Sequence, residues 1–258
     1  MSPASRRGAV SPAAQGGGAS GRSGGPRERL GTPRVHHTRT GSTNVDAREL
    51  ALAGAPHGTL VTAHEQHEGR GRHGRSWHAP PRTALLCSLV LRDPPALLSI
   101  TAGVAVAELA GPGALLKWPN DVLLGGRKVS GILVEGRPRE RWAVLGIGVN
   151  VALEPQELPE DLHRIAGTLG LAADAIEPTL ERLLELLEYW LAADPAQALA
   201  AWRARDALLG VAVDWRDGGG VGAGIDDSGH LRVKLADGAV QTLDAGEVRL
   251  HPPRGPFR

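Results

Sequence analysis

The period of the apolar positions changes several times along the chain, and each change marks an element. In "TNVDARELALAGAP", Ala47, Leu50 and Ala51 recur at helical spacing after a Ser/Thr/Asn start. This predicts a helix that opens near Thr43 and stops by Gly54 to Pro56. "GTLVTAHEQ" reads as a strand, and "TALLCSLVL" as a second, fully apolar strand with a helix over 96–110 behind it. In "LLKWPNDVLLGGRKVSGILVEG" two β-type runs flank Gly125 and Gly126, which accept the positive φ of a tight hairpin turn, so Lys128 begins the return strand. With "RWAVLGIGVNVAL" they make a meander of three antiparallel strands. Leu180, Leu183, Leu184, Leu187 and Leu191 form one stripe of an amphipathic helix that closes the main domain. From Leu209 onward, short alternating runs such as "LRVKL" and "VQTL", joined by Asp-Gly and Gly-rich turns, suggest a small β-barrel.

Residues 1–34 are rich in Gly, Ser, Pro and Arg and have no hydrophobic period, so they cannot bury enough surface to offset ordering entropy. They read as a disordered basic tail without a helix-turn-helix. The expected organisation is therefore this tail, an α+β domain over 35–208 and a small β domain over 209–258. The segment 96–116 is the nearest approach to a membrane span, but Glu108 and the breaks at Gly103, Gly111, Pro112 and Gly113 make it a buried helix with a turn. One cysteine, Cys87, excludes an internal disulfide, and no secretory signal is seen, which makes the cytoplasm the simplest location. The 29 basic and 28 acidic residues nearly cancel, so any positive field is local. The three lysines are Lys117, Lys128 and Lys234, among many arginines.

The densest local field is "EQHEGRGRHGRSW", residues 65–77, which places Arg70, Arg72 and Arg75 on a spine of Gly69, Gly71 and Gly74. Such a loop suits a phosphate, RNA or solvent alone. Trp77 at its end could stack on a flat ring or pack in the core. His64, His67, His73 and His78 make a weak metal set, because the arginines repel a cation and no thiol or carboxylate pattern completes it. Ser42, Thr43 and Asn44 serve equally well as a helix cap or as partners of an uncharged polar ligand. Lys128 is either solvated or a point charge for a carboxylate or phosphate, with the small Ser130 and Gly131 leaving room beside it. Cys87 reads as a buried hydrophobe. The sequence has no P-loop, dinucleotide fingerprint or G-x-S-x-G.

In order along the chain, "GSTN" (41–44), "EQHEGRGRHGRSW", "KWPNDVLLGGRKVSGILVE" (117–135) and "GIGVNV" (146–151) resemble the biotin protein ligase family, from about Gly41 to the C-terminus. The resemblance implies an α+β catalytic domain with a mixed β-sheet and flanking helices, of the class II synthetase-like biotin/lipoate ligase fold, followed by an SH3-like β-barrel. It implies biotin and ATP as substrates, with Mg²⁺, and a biotin carboxyl carrier domain of an acyl-CoA carboxylase as acceptor. Carried over by motif, Ser42, Thr43, Asn44, Gln66, Arg70, Gly71 and Arg72 would contact biotin. Lys128 would reach its carboxylate and the phosphate joined to it. Arg70, Arg72, Arg75, Trp77 and Asn150 fall on the nucleotide side, and Lys128 and Arg72 are the catalytic pair. Asn120 and Asp121 would shape the site or its metal environment, with no metal ligand assigned. Some members carry an N-terminal winged helix and repress biotin synthesis genes; the tail here lacks that pattern, so no DNA binding is expected. The rival readings are a lipoate or octanoate transferase using a cysteine, and a noncatalytic RNA-binding protein.

Overall fold

The computed structural model describes residues 29–244 and 246–250. The expectation of disorder over 1–28 lies outside those residues. Packing begins upstream of residue 35, since Leu30 is buried and its amide donates to Glu188 Oε1 at 2.9 Å.

Seven strands form one mixed sheet: β1 (Arg34–His37), β2 (Leu60–Ala63), β3 (Ala84–Arg92), β4 (Ala114–Lys117), β5 (Asp121–Leu124), β6 (Arg127–Arg137) and β7 (Trp142–Asn150). Their spatial order is β1-β2-β3-β7-β6-β5-β4. Only β1 and β2 run parallel among these pairings. The expected β5-β6-β7 meander is present, and Gly125 and Gly126 turn between β5 and β6 at φ of 57° and 75°. The two edge strands, β1 and β4, each four residues long, were not foreseen.

Helix α1 (Thr43–Leu52) lies on one face of the sheet, while α2 (Leu98–Ala110) and α3 (Ile176–Ala192) cover the other. α2 is apolar on nearly every side and is buried accordingly between the sheet, α3 and α4 (Pro195–Arg203). On α3 the buried stripe is Leu180, Leu183, Leu186, Leu187 and Trp190, with Leu184 and Leu191 half-buried at its margin. The short α4 was missed, although its cap is legible: the Asp194 carboxylate accepts the Ala196 N–H at 2.8 Å and Pro195 opens the helix.

The C-terminal strands β8 (Ala212–Trp215), β9 (Gly218–Ile225), β10 (Leu231–Lys234), β11 (Val240–Leu243) and β12 (Arg249–Leu250) form a second sheet in the order β11-β10-β9-β8-β12. Among the described residues it is open, with β11 and β12 as unjoined edges, so the closure expected of a barrel is not seen in them. Val213, Ile225, Leu231 and Val233 continue the main core, and the Trp118 indole N–H donates to Gly229 O at 3.0 Å, so this sheet is fastened to the α+β body. No helix among the described residues is long and apolar enough to cross a membrane.

Candidate active site

The period-2 alternation of a strand gives each central strand two different faces. Leu85, Cys87, Leu89 and Leu91 of β3 and Leu145, Ile147 and Val149 of β7 point into the core beneath α2 and α3. The alternate positions Val90 and Val144 pack under α1, and at and beyond its N-terminal end they give way to Ser88, Gly146 and Gly148. Here the sheet is left uncovered and forms the floor of a cleft of 140 Å³. Gly131 of β6 pairs with Gly148 of β7. A Cβ on Gly148 would lie 2.6 Å from the Trp77 ring, and one on Gly131 3.0 Å from it, so the two glycines make a flat slot on which the indole rests. The Trp77 Nε1–H is buried there without a partner among the described residues.

Trp77 is delivered by the arginine loop, which is more ordered than its glycines suggest. Gly71 N–H donates to Arg75 O at 2.7 Å and Trp77 N–H to Gly69 O at 2.8 Å, closing the loop on itself. Gly69 is needed for that approach, since a Cβ would stand 2.5 Å from Trp77 O. Arg70, Arg72 and Arg75 line the cleft together with Lys117 and Lys128, against the carboxylates of Asp121 and Glu247. The cleft is thus cationic, and it shares the arginine loop with an adjoining groove of 950 Å³. Burial lowers the Arg72 guanidinium pKa, with Asp121 acting against that shift. Arg75 is raised by its hydrogen bond to Glu247, and Glu247 is lowered by the same bond. Arg75 and Glu247 are solvent-accessible, so the pair contributes about 0–1 kcal/mol, enough to bias the loop without locking it.

Lys128 reaches the slot through a backbone irregularity. Val122 pairs with Ser130 while the next residue, Leu123, pairs with Lys128, which leaves Val129 as the extra residue of a β-bulge. In a regular strand Lys128 and Gly131, three apart, would face opposite sides; the bulge puts both on the cleft side. The Lys128 backbone is held by Ile165 O at 2.7 Å and by Gly167 N–H at 2.8 Å. Its ammonium lies 2.6 Å from Asp121 Oδ1 and 5.5 Å from the centre of the Trp77 ring.

The opposite end of the cleft is polar and uncharged. Thr43 donates to Gln66 Oε1 from both its backbone N–H, at 2.7 Å, and its hydroxyl, at 3.0 Å. Ser42 precedes α1 in an extended conformation, yet its hydroxyl makes no capping bond and lines the cleft. Asn44 packs on Gly146, where a Cβ would stand 2.0 Å from its Oδ1.

Residues 33–151 match the model of the biotin/lipoate A/B protein ligase family. The chain is 37% identical to the biotin--[acetyl-CoA-carboxylase] ligase of Mycobacterium tuberculosis, over 81% of this chain and 85% of that protein. The chain belongs to the biotin protein ligase family. A second relative, the biotin--[acetyl-CoA-carboxylase] ligase of Paracoccus denitrificans, is 38% identical over 81% of this chain and 97% of its own. The fold is similar to that of the Aquifex aeolicus biotin protein ligase solved in complex with biotin and ATP. That match has a TM-score of 0.67 and 25% identity, and covers 84% of this chain and 98% of that one.

Of the residues singled out by the biotin-ligase motifs, Ser42, Thr43, Asn44, Gln66, Arg70, Gly71, Arg72, Arg75, Trp77 and Lys128 all line one cleft. Asn150 does not line it. Its amide donates to Gly167 O at 2.8 Å and to Lys128 O at 3.4 Å, bracing the strand that carries Lys128. Cys87 faces the core, donates to Ile147 O at 3.6 Å, and has its thiol pushed up to about 12 by burial. Sequence reasoning missed Ser88, Glu135 and Glu247. Ser88 did leave a signal, as a polar side chain inside an apolar strand; Glu247 left none, because its partner Arg75 lies far away in the chain.

Proposed function

We propose that this chain joins biotin and ATP into biotinyl-5′-AMP with release of pyrophosphate. It then transfers the biotinyl group to a lysine of a biotin carboxyl carrier domain of an acyl-CoA carboxylase. The observation that carries this reading is the slot itself: a flat glycine floor, an uncharged hydrogen-bonding end at Thr43 and Gln66, and a lysine aimed at the other end by a bulge. A flat fused bicycle with a polar head and a carboxylate tail fits that order, and the indole of Trp77 already lies flat on that floor. On binding, Trp77 leaves the floor with its loop and becomes available to stack on adenine.

In the first step a biotin carboxylate oxygen attacks the α-phosphorus of ATP, and the bond to the pyrophosphate oxygen breaks. Two anions must meet, so Lys128 and Arg72 stabilise the charge that gathers around the phosphorus, with Arg70 and Arg75 on the polyphosphate. Mg²⁺ fits as a companion of ATP, since it commonly takes one or two protein carboxylates besides phosphate oxygens; Asp121 and Glu247 are the cleft carboxylates that would hold it once released from Lys128 and Arg75. Bound there, the ion would neutralise the leaving pyrophosphate. The arginine loop closes over the adenylate and keeps water from it. In the second step the carrier lysine amine attacks the acyl carbon, AMP departs, and the amide forms as the nitrogen loses its proton to solvent.

Residues 35–208 form the catalytic domain, and the C-terminal sheet that follows from residue 209 is an SH3-like unit whose Glu247 reaches the arginine loop. The reaction belongs in the cytoplasm, where ATP and the carrier meet. The experiment that tests the reading is biotin-dependent exchange of labelled pyrophosphate into ATP with Mg²⁺, with lipoate and octanoate as control acids. Exchange with biotin alone is the expected result; exchange driven by another acid would reassign the substrate, and its absence from folded protein would overturn the reading.

A further inference from the structure

Behind Thr43 lies a hydrogen-bonded chain of Glu135, Asn44 and Ser88 whose direction is set by chemistry. A carboxylate only accepts, so the Asn44 amide turns Nδ2 to Glu135 Oε2, at 2.8 Å, and Oδ1 to Ser88. An amide oxygen cannot donate, so the contact of 2.7 Å between Ser88 Oγ and Asn44 Oδ1 takes the Ser88 proton. At the other end, the Thr43 backbone N–H identifies the facing atom of Gln66 as its oxygen, and the contact there takes the Thr43 hydroxyl proton. The two hydroxyls themselves lie 2.8 Å apart. Three contacts are thus served by two protons, and an acceptor lone pair on the Ser88–Thr43 pair stays open. Ser88 is 0% and Thr43 4% exposed, so bulk water does not fill that demand.

We propose that Glu135 is a positioning residue for substrate recognition: its charge fixes the polarity of the chain so that the Ser88–Thr43 pair presents an acceptor to an N–H of the ligand's cyclic urea. The inference rests on the proposed function, in which the urea end of biotin lies at Thr43. Removing the charge reverses the chain. With Glu135→Gln the new amide can donate to Asn44, Asn44 turns over and donates to Ser88, Ser88 donates to Thr43, and Thr43 to Gln66. All three contacts are then filled and each hydroxyl has one acceptor lone pair fewer to offer the ligand, with no change in side-chain size.

The test measures biotin Kd by calorimetry and the kinetics of pyrophosphate exchange for wild type, Glu135→Gln, Ser88→Ala and the double variant. The expected result is a weakening of biotin by about tenfold in Glu135→Gln, with kcat and the ATP KM nearly unchanged. Glu135→Gln adds nothing further in the Ser88→Ala background, because the relay is already cut. A role limited to structure would lower kcat and melting temperature together and would add in the double variant, which overturns the proposal, as does unchanged biotin affinity. Wild-type protein without biotin-dependent exchange sinks the functional reading and this inference with it; active wild type with an unaffected Glu135→Gln sinks the inference alone.

Discussion

The two faces of the seven-stranded sheet are built from the same strands with a one-residue offset, and they do opposite things. On β7, Leu145, Ile147 and Val149 fill the core under α2 and α3, while Gly146 and Gly148 between them carry almost no side-chain volume. On β3, Ser88 stands between Cys87 and Leu89 in the same way. The packed face is rigid because apolar side chains interdigitate there at high density. It can therefore hold the bare face flat to within the tolerance a ligand needs. Stability comes from one face and recognition from the other, so substitutions on adjacent residues should separate the two properties.

The largest effect is expected on the bare face. Lys128→Ala removes the ammonium that the bulge brings to the slot, and adenylate formation should fall by at least 10²-fold, the scale of losing one preorganised charge-stabilising donor. Arg72→Ala should act in the same direction. Circular dichroism should remain native in both, since both side chains face the cleft. Normal exchange rates from either variant would remove that residue from the proposed chemistry.

The sharpest form of the comparison uses neighbours. Ile147→Ala empties a buried site on the packed face and should cost about 2–5 kcal/mol of stability, read from denaturant unfolding, with the biotin KM changed far less than in Gly148→Ala. Gly148→Ala puts a methyl on the slot floor, 2.6 Å from where the Trp77 ring rests. It should raise the biotin KM while leaving unfolding nearly unchanged. If the two variants share one phenotype, the division of labour between the faces is wrong.

Much of the packed face was legible in the sequence, because period and apolar run length report burial directly: the course of β3, α2, α3 and the β5-β6-β7 meander could be read. The bare face was legible as motifs but not as geometry. Lys128 and Gly131 could be quoted together, yet nothing in "GRKVSGILVEG" announces that Val129 is a bulge. "GSTN" could be a cap or a ligand contact until the uncapped Ser42 hydroxyl was located in the cleft. Glu135, Ser88 and Glu247 depend on partners distant in sequence, and pairing across such distances is set by tertiary structure alone. The expected barrel was legible only as far as its strands: alternation identified β10 and β11, but closure depends on how distant edge strands meet, which a local period does not report.

A smaller effect is expected from Cys87→Ala. The thiol belongs to the packed face, fully buried, and its high pKa keeps it protonated and unreactive at neutral pH. The variant should lose about 1 kcal/mol at most and keep full biotin turnover, and the native protein should resist thiol reagents until it is unfolded. Loss of acyl transfer with intact folding would instead revive the cysteine-dependent transferase reading.

The smallest effect concerns pH and again the packed side, at its β1–β2 edge. His64 stands edge to face with His36, ring centroids 4.4 Å apart, near Arg34, Arg82 and Glu177. Burial, followed by the charges of Arg82 and Arg34, lowers the His64 pKa, and its Nδ1 is buried without a partner among the described residues. A histidine whose folded pKa is lowered takes up its proton more readily in the unfolded chain. Its stabilising contribution is complete above the unfolded value of about 6.5 and declines as pH falls below that toward the folded pKa. Glu177 is lowered by its hydrogen bond to Arg34, so its contribution is lost only further down, below the ordinary carboxylate range. Melting temperature should therefore fall slightly between pH 7.5 and 5.5, by less than Ile147→Ala lowers it at pH 7.5. His64→Gln should flatten that slope without altering biotin affinity, because His64 is outside the cleft lining. A slope unchanged by His64→Gln would assign the acid sensitivity to other groups, and a shift in biotin affinity would show that the two faces are coupled at this edge.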